Sequence, residues 1–303
     1  MDELHTQHED VTGDLRELAD CEALKAAFAT AKHVAIIGPG WIGLETAAAA
    51  RAAGCEVTVV ERVELPLLRV LGKEMAEIYA ALHRDHGVQL RLGTGLAEIT
   101  GEDHRANGVR LTDGSIVEAD VVVVRVGVTP DAELAEAAGL AVENGVAVDE
   151  YPATSDPDVF ATGDVASSCY PHYGIHLRLE HWAAALNQGP VAAVNMLGGS
   201  TPYDPVPYFY SDQYDMGMEY SGYVGAGGYD EVVFRGDVAK GEFLAFWLKD
   251  ARVLAAMNVN IWDVTDAIQA LVRSDQPVDP AKLADPTVAL ANVRPGALAG
   301  APS

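Results

Sequence analysis

Short apolar runs, glycine turns and Ala-rich helical stretches alternate along the first half of the chain. His33-Val34-Ala35-Ile36-Ile37 is too short for a buried helix and predicts a buried strand, as does Glu56-Val57-Thr58-Val59-Val60. Between them, Gly38-Pro39-Gly40-Trp41-Ile42-Gly43 opens an Ala-rich helix that ends near Gly54. Strand, glycine turn, helix and strand in that order make a βαβ unit, with the right-handed crossover such units adopt. Upstream, residues 14–28 carry apolar positions at helical spacing, with Asp20 near a cap. Downstream, the pattern predicts a helix over 73–86 and a strand over 88–92. A small antiparallel excursion follows at 96–100, 107–111 and 116–118, with Asp113-Gly114 as a hairpin turn, before a core strand at 120–124.

The period changes later in the chain. A strand is expected at 158–162 and an Ala-rich helix at 181–197, with a kink or break at Pro190. From Thr201 the composition turns to Tyr, Gly and Asp with alternating apolar residues, which predicts an antiparallel sheet over 208–260 and a helix near 263–273. Residues 1–14 read as an acidic tail, and residues from about 288 as a disordered Ala/Pro/Gly-rich end.

The 303 residues suffice for two or three domains, and a 49% apolar content suits globular cores. No uninterrupted apolar run of membrane-spanning length occurs, and the acidic start lacks the features of a signal peptide, so a cytoplasmic protein is expected. The net charge of −25 repels nucleic acid. Cys21, Cys55 and Cys169 form no Cys-x-x-Cys pair, which argues against a zinc ribbon or a dithiol redox centre. His172, His176 and His181 fall on an expected loop without the Cys or acid spacing of a metal site.

Candidate chemistry begins at Gly38, Gly40 and Gly43, a G-x-G-x-x-G that follows a strand and opens a helix with Trp41 and Ile42 in its first turn. That context makes it a dinucleotide site. Gly38 permits the tight turn, Gly40 lets the backbone approach a pyrophosphate, and Gly43 lets helix and strand pack closely. The helix N-terminus supplies N–H groups and partial positive charge. Glu61, ending the second strand, can accept hydrogen bonds from the ribose hydroxyls and repel a 2′-phosphate, which favours NADH; Arg62 beside it weakens that preference. Glu45, on the first helical turn, has two readings: an acid complementing the helix dipole, or a group beside the nicotinamide.

Downstream motifs carry a family resemblance. Thr154-Ser155-Asp156-Pro157-Asp158-Val159-Phe160-Ala161-Thr162-Gly163-Asp164 resembles the second flavin-binding signature of flavoproteins with two dinucleotide domains, and Gly127-Val128-Thr129-Pro130 resembles their link between domains. Arg178-Leu179-Glu180-His181-Trp182, Asn187-Gln188-Gly189, Asn195-Met196-Leu197-Gly198 and Tyr208-Phe209-Tyr210-Ser211-Asp212-Gln213-Tyr214-Asp215 are similar to the ferredoxin reductase branch of the FAD-dependent pyridine nucleotide oxidoreductases.

The resemblance implies an α/β fold with a Rossmann-type NAD-binding domain over 29–150. It implies a partial FAD-binding domain from 15–28 and 151–200, and a C-terminal α+β domain with an antiparallel sheet over 201–287. It further implies FAD and NAD as cofactors and electron transfer from NADH through flavin to a [2Fe–2S] ferredoxin. Gly127, Gly163 and Asp164 would contact cofactor, with Asp164 on the ribityl chain. Glu180, His181 and Trp182 would lie along the isoalloxazine and Glu45 near the nicotinamide, so Glu45 and Trp182 are the candidate catalytic pair. In that family a further Rossmann half with its own glycine fingerprint comes first. This sequence holds one such fingerprint, so the chain reads as N-terminally truncated, and by itself it is expected to bind NADH and to hold FAD weakly or not at all. The alternative is a flavin-free NAD-binding module or assembly subunit that completes its sheet with another chain; a homo-oligomer is compatible with either.

Overall fold

A computed structural model describes residues 15–103 and 105–295, which fall into two compact units divided after Gly127. The acidic tail assigned to 1–14 and the last eight positions, 296–303, lie outside the described residues.

The first unit is built on a parallel sheet in the order β3-β2-β1-β7, with β1 His33–Ile37, β2 Glu56–Glu61, β3 Gln89–Leu92 and β7 Val121–Val124. Strand β1 is apolar on both sides because both sides are covered, as a central parallel strand requires. Val34 and Ile36 enter one core with Phe28, Ala47 and Ala50 from helices α1 (Leu18–Phe28) and α2 (Trp41–Ala52). Ala35 and Ile37 enter a second with Ile99, Val109 and Leu111 from a three-stranded antiparallel sheet, β4 Leu96–Glu102, β5 Arg105–Leu111 and β6 Ile116–Glu118. The Asp120 carboxylate accepts from the N–H groups of Lys32 (2.8 Å) and His33 (2.9 Å) and ties the entrance of β1 to that of β7. Those hydrogen bonds hold its pKa below the ordinary carboxylate value.

Two boundaries differ from the sequence reading. Residues 15–28, grouped above with a flavin-domain remnant, pack instead with the first unit through Phe28, which is buried in the core under β1. Residues 128–150, grouped above with the NAD-binding domain, belong to the second unit, where β9 (Gly145–Val148) pairs in parallel with β10 (Ala166–Tyr170). Helix α3 spans Leu68–Asp85, starting before residue 73, because Gly72 at φ 76° bends the chain between two helical pieces.

In the second unit a four-stranded sheet runs β11-β10-β9-β8, with β8 Val142–Glu143 and β11 Ile175–Leu177. A short helix, α4 (Glu133–Ala137), precedes it, and α5 (Trp182–Met196) follows. The strand expected at 158–162 does not form. Thr154 and Asp156 trade side-chain bonds with the local backbone, Asp156 Oδ1 accepts from the Asp158 N–H at 3.0 Å, and Pro157 has no N–H to give a ladder. Turn chemistry therefore prevails there, and the strand forms at the Ser-rich β10. Nor does α5 break at Pro190. Pro190 and Leu186, whose carbonyl loses its helical donor, both lie on the exposed side of the helix.

The C-terminal part is a five-stranded antiparallel sheet ordered β12-β13-β16-β15-β14. Its strands are β12 Tyr208–Gln213, β13 Met216–Gly222, β14 Glu231–Asp237, β15 Glu242–Lys249 and β16 Arg252–Val259. Phe246 and Leu248 pack under helix α6 (Thr265–Ser274) together with Val278, Leu283 of α7 (Pro280–Ala284) and Val293. Residues 288–295, expected to be disordered, are thus anchored: Val293 is fully buried and its carbonyl accepts from the Asp279 N–H at 2.7 Å. The Arg235 guanidinium clamps this return segment by donating to the carbonyls of Leu283 (3.3 Å), Asp285 (2.8 Å), Pro286 (3.3 Å) and Val288 (2.8 Å). Replacing Arg235 with Ala leaves those carbonyls without their charged donor. The expected loss is about 2–4 kcal/mol in urea unfolding, with Arg235→Lys intermediate; an unchanged midpoint for Arg235→Ala would contradict the clamp.

Candidate nucleotide and flavin sites

In the first unit the chain leaves β1 at its C-terminal end and turns at Gly38, whose φ of +91° favours glycine. The Gly38 N–H donates to the Val60 carbonyl at 3.1 Å. A Cβ on Gly38 would strike the Arg125 carbonyl, and one on Gly43 would strike the Gly38 carbonyl. Gly40 differs: a Cβ there would meet nothing within 4 Å. Gly38 and Gly43 are therefore small for the fold, whereas Gly40 is small although the fold has room. That room lies at the N-cap of α2, where Gly40 has no side chain to cap the first helical N–H groups. An open, uncapped helix tip beside Gly40 fits a diphosphate.

Glu61 ends β2 beside this turn. One carboxylate oxygen accepts from the N–H groups of Arg62 and Val63, which fixes the side chain. Arg62 is exposed and its stem lies along Gly95. Gly127, at φ +108°, follows the exposed Val126 at the end of the unit. On α2, Trp41 stacks edge-on against the buried Tyr79 with ring centroids 5.4 Å apart. Burial raises the pKa of Tyr79 far above normal, and the charge of Glu45 raises it further; Glu45, four residues after Trp41, shares its face of α2. Gly38, Gly40, Trp41, Ile42, Gly43, Glu45, Glu61, Arg62 and Gly127 all stand in this unit.

The remaining candidates stand in the second unit. Gly163, at φ +74°, begins a one-turn 3-10 helix, and a Cβ there would lie 3.6 Å from that of Ala185 on α5. Its N–H donates to Gln188 Oε1 at 2.9 Å, and Gln188 Nε2 donates to Ser168 Oγ at 2.6 Å. This buried amide fixes the Gly163-Asp164 turn between α5 and β10. Arg178 donates to the Asp164 carbonyl (3.2 Å), to Glu180 Oε1 (2.7 Å) and to Asn144 Oδ1 (3.1 Å), and so holds the turn to the segment that enters α5. Arg178 and Gln188 lie within the motifs that carry the resemblance, which by themselves assign neither of them a role. The signal for Gln188 was an amide within an Ala-rich helix that buries it.

His181 is the N-cap residue of α5 and packs on Phe209 with ring centroids 4.7 Å apart. Burial lowers its pKa, against the opposing charges of Asp164 and Glu180, so the ring is neutral near pH 7. Its Nδ1 is buried without a hydrogen-bond partner. Such an atom, with the uncapped helix tip and the positive-φ Gly163, fits a polar ring system laid across the start of α5. Trp182 is 66% exposed. Beyond it, the Tyr208 hydroxyl donates to Glu219 Oε1 at 2.6 Å, while Asn258 and Thr265 donate to Oε2. These bonds pin β12 to β13 and α6.

Residues 3–189 match the family described as pyridine nucleotide-disulphide oxidoreductase, and residues 208–294 match the reductase C-terminal family. The ferredoxin–NAD(+) reductase component of an anthranilate 1,2-dioxygenase system from Burkholderia cepacia is 42% identical over 281 residues, 91% of this chain and 68% of that one. Rhodocoxin reductase from Rhodococcus erythropolis is 38% identical over 89% of this chain and 63% of its own length. A ferredoxin reductase from Rhodopseudomonas palustris superposes with a TM-score of 0.89 at 36% identity, covering 95% of this chain and 70% of that one. Putidaredoxin reductase in its covalent complex with putidaredoxin gives a TM-score of 0.87 at 34% identity, covering 94% and 68%. The chain thus spans about two thirds of the length of these relatives.

Gly40→Ala should lower the melting midpoint by no more than about 4 °C yet cut NADH affinity tenfold or more in calorimetry, whereas Gly43→Ala should unfold the first unit. Equal NADH affinity in Gly40→Ala would remove the diphosphate from this turn. For His181 the folded pKa lies below the unfolded value, so the unfolded state binds more protons in acid. Its contribution to stability is full above about pH 6.5 and declines as pH falls below that value. Urea midpoints of the second unit between pH 7 and 5.5 should drop in the parent and flatten in His181→Asn; parallel slopes would show that His181 is not the group responsible.

Proposed function

The chain belongs to the pyridine nucleotide-disulphide oxidoreductase family, and from that premise we propose that it serves as a reductase passing electrons from NADH, by way of FAD, to a [2Fe–2S] ferredoxin. The observation that carries the nucleotide half is Gly40, small at a position where the fold has room. The ferredoxin half follows the relatives, one of which is seen joined to its putidaredoxin. Bound flavin supplies the step from a two-electron hydride to single electrons.

The chain's own residues bind and orient. Gly38, Gly40, Trp41, Ile42 and Gly43 receive the diphosphate on backbone N–H groups. Glu61, held by the Arg62 and Val63 N–H groups, presents its free oxygen to the adenosine ribose and selects against a 2′-phosphate. Gly127 leaves room beside the turn, and Glu45 takes the nicotinamide side. Gly163 and Asp164 receive the ribityl chain on a turn that Gln188 and Arg178 hold rigid. The N-terminus of α5, with Glu180, His181 and Trp182, would hold the isoalloxazine, and its N–H groups would favour negative charge there.

No helix among the described residues is long and apolar enough to cross a membrane, and a cytoplasmic setting suits the reading. A flavin-free NAD-binding module is the second reading. It is favoured by the first unit, which holds its sheet, both covering layers and its glycine turn without help. Assays with NADH, added FAD and a [2Fe–2S] ferredoxin separate the two. The reductase reading expects ferredoxin reduction that rises with added FAD, and a strong fall in Glu45→Gln. NADH binding without any flavin retention or ferredoxin reduction would leave the module. Glu61→Ser should bring NADPH affinity to within about tenfold of NADH; undiminished discrimination would move the selecting charge elsewhere.

A further inference from the structure

Helices α1 and α2 both cover the sheet of the first unit, and their C-terminal ends meet. The Cys55 thiol, just past α2, donates to the carbonyls of Phe28 (3.4 Å) and Ala31 (3.5 Å), and Phe28 shares one buried core with Ala47 and Ala50. Between the two helices runs a cleft of about 500 Å³, a size within the roughly 300–1,000 Å³ of small-molecule sites. Its walls follow from the sequence spacing. Cys21, Leu24, Lys25 and Phe28 fall at i, i+3, i+4 and i+7 on α1, and Ile42, Glu45 and Ala49 at i, i+3 and i+7 on α2, so each set is one face of its helix. Side chains on two such faces normally interlock. Here Cys21 on one side and Ala49, Ala52 and Ala53 on the other are too short to do so.

The polar groups of the cleft are few, and they differ in what they offer. The Thr46 hydroxyl donates to its own helix, at the Ile42 carbonyl (2.7 Å). Glu45 lies near the start of α2 and Lys25 in the last turn of α1. Because the C-terminal ends of the helices meet, the two charges stand toward opposite ends of the cleft. Lys25 is exposed and makes no ion pair among the described residues. An apolar trough with one unpaired ammonium toward one end selects an apolar body that carries a single negative charge. The Glu45 carboxylate at the other end works against a second one.

We propose that the α1–α2 cleft is a binding site for a small apolar monocarboxylate, its body against Leu24, Ile42 and Ala49 and its carboxylate on Lys25. Ile42 and Glu45 also belong to the proposed nucleotide site. Occupancy of the cleft and binding of NADH are therefore linked, each changing the affinity of the other by the same factor. That linkage rests on the function proposed above; the cleft does not.

The exposed Cys21 thiol on the rim reports occupancy in the full chain. Benzoate and octanoate are the probes, and alkylation of Cys21 by iodoacetamide is followed by peptide mass spectrometry. At least one of the two acids should slow it about fivefold or more, with a saturable dose dependence, while Cys169 reacts at an unchanged rate. The acid that protects identifies the body as aromatic or aliphatic. Ala49→Leu, at an exposed helix position that accepts leucine, fills the trough. It should weaken protection about tenfold without lowering the melting midpoint. Lys25→Gln should weaken it about three- to fivefold, and neutral benzyl alcohol should protect the parent chain less than benzoate does. Three results would overturn the proposal: no protection by either acid, protection undiminished in Ala49→Leu, or protection by benzyl alcohol equal to that by benzoate. Calorimetry of NADH with and without the protecting acid then reads the linkage. Equal NADH affinities would keep the site and sink the linkage.

Discussion

Everything proposed for the nucleotide depends on a close approach between backbone atoms. Strand β1 and helix α2 come so near each other that the Gly38 carbonyl occupies the space a Gly43 side chain would need, and the Arg125 carbonyl does the same at Gly38. That compression is possible only without Cβ atoms. It brings the first turn of α2 to the C-terminal ends of β1, β2 and β7, where Glu61 and the Arg125–Gly127 segment also emerge. The parallel sheet supports the arrangement because both faces of β1 are buried, one under helices and one under β4–β6. Asp120 fixes its entrance through two N–H bonds.

The second unit solves a related problem with side chains. The Gly163 turn has no strand of its own, because local Thr154 and Asp156 bonds prevent one. Its position is set by Gln188 from α5 on one side and Arg178 on the other. Both are buried or nearly so: Gln188 is 1% exposed and the Arg178 side chain 10%. Unsatisfied amide or guanidinium groups at such positions are costly, so their bonds are geometrically demanding. The same helix presents its N-terminus, an orphaned His181 nitrogen and an exposed Trp182 at one end.

How much of this could be read in advance varied with the physics at each place. The βαβ core was legible because Val34 to Ile37 are apolar without interruption, Val57, Val59 and Val60 are broken only by Thr58, and the glycine spacing has a steric cause. The antiparallel sheet at 208–259 was legible from alternation. The strand at 158–162 was misplaced because an apolar pair, Val159-Phe160, outweighed the turn chemistry of Asp156-Pro157. Strand β10 was missed because Ser167 and Ser168 look polar, although Gln188 satisfies Ser168 in the interior. The grouping of 15–28 and of 128–150 failed because domain membership is decided by Phe28 and by the β9–β10 pairing, contacts that local pattern does not encode. Val293 was assigned to a disordered end on composition, yet the Arg235 clamp and the α6 core hold it.

The residues proposed for the nucleotide and those proposed for the flavin lie in different units, so the claim most open to direct measurement is the one at the helix tip. Amide hydrogen exchange across α2, with and without saturating NADH, reads it residue by residue. NADH should slow exchange at Ile42 and Gly43, and ADP, which shares the diphosphate, should protect the same two amides. Protection confined to other segments, with Ile42 and Gly43 exchanging as fast in the complex as in the unliganded chain, would contradict it.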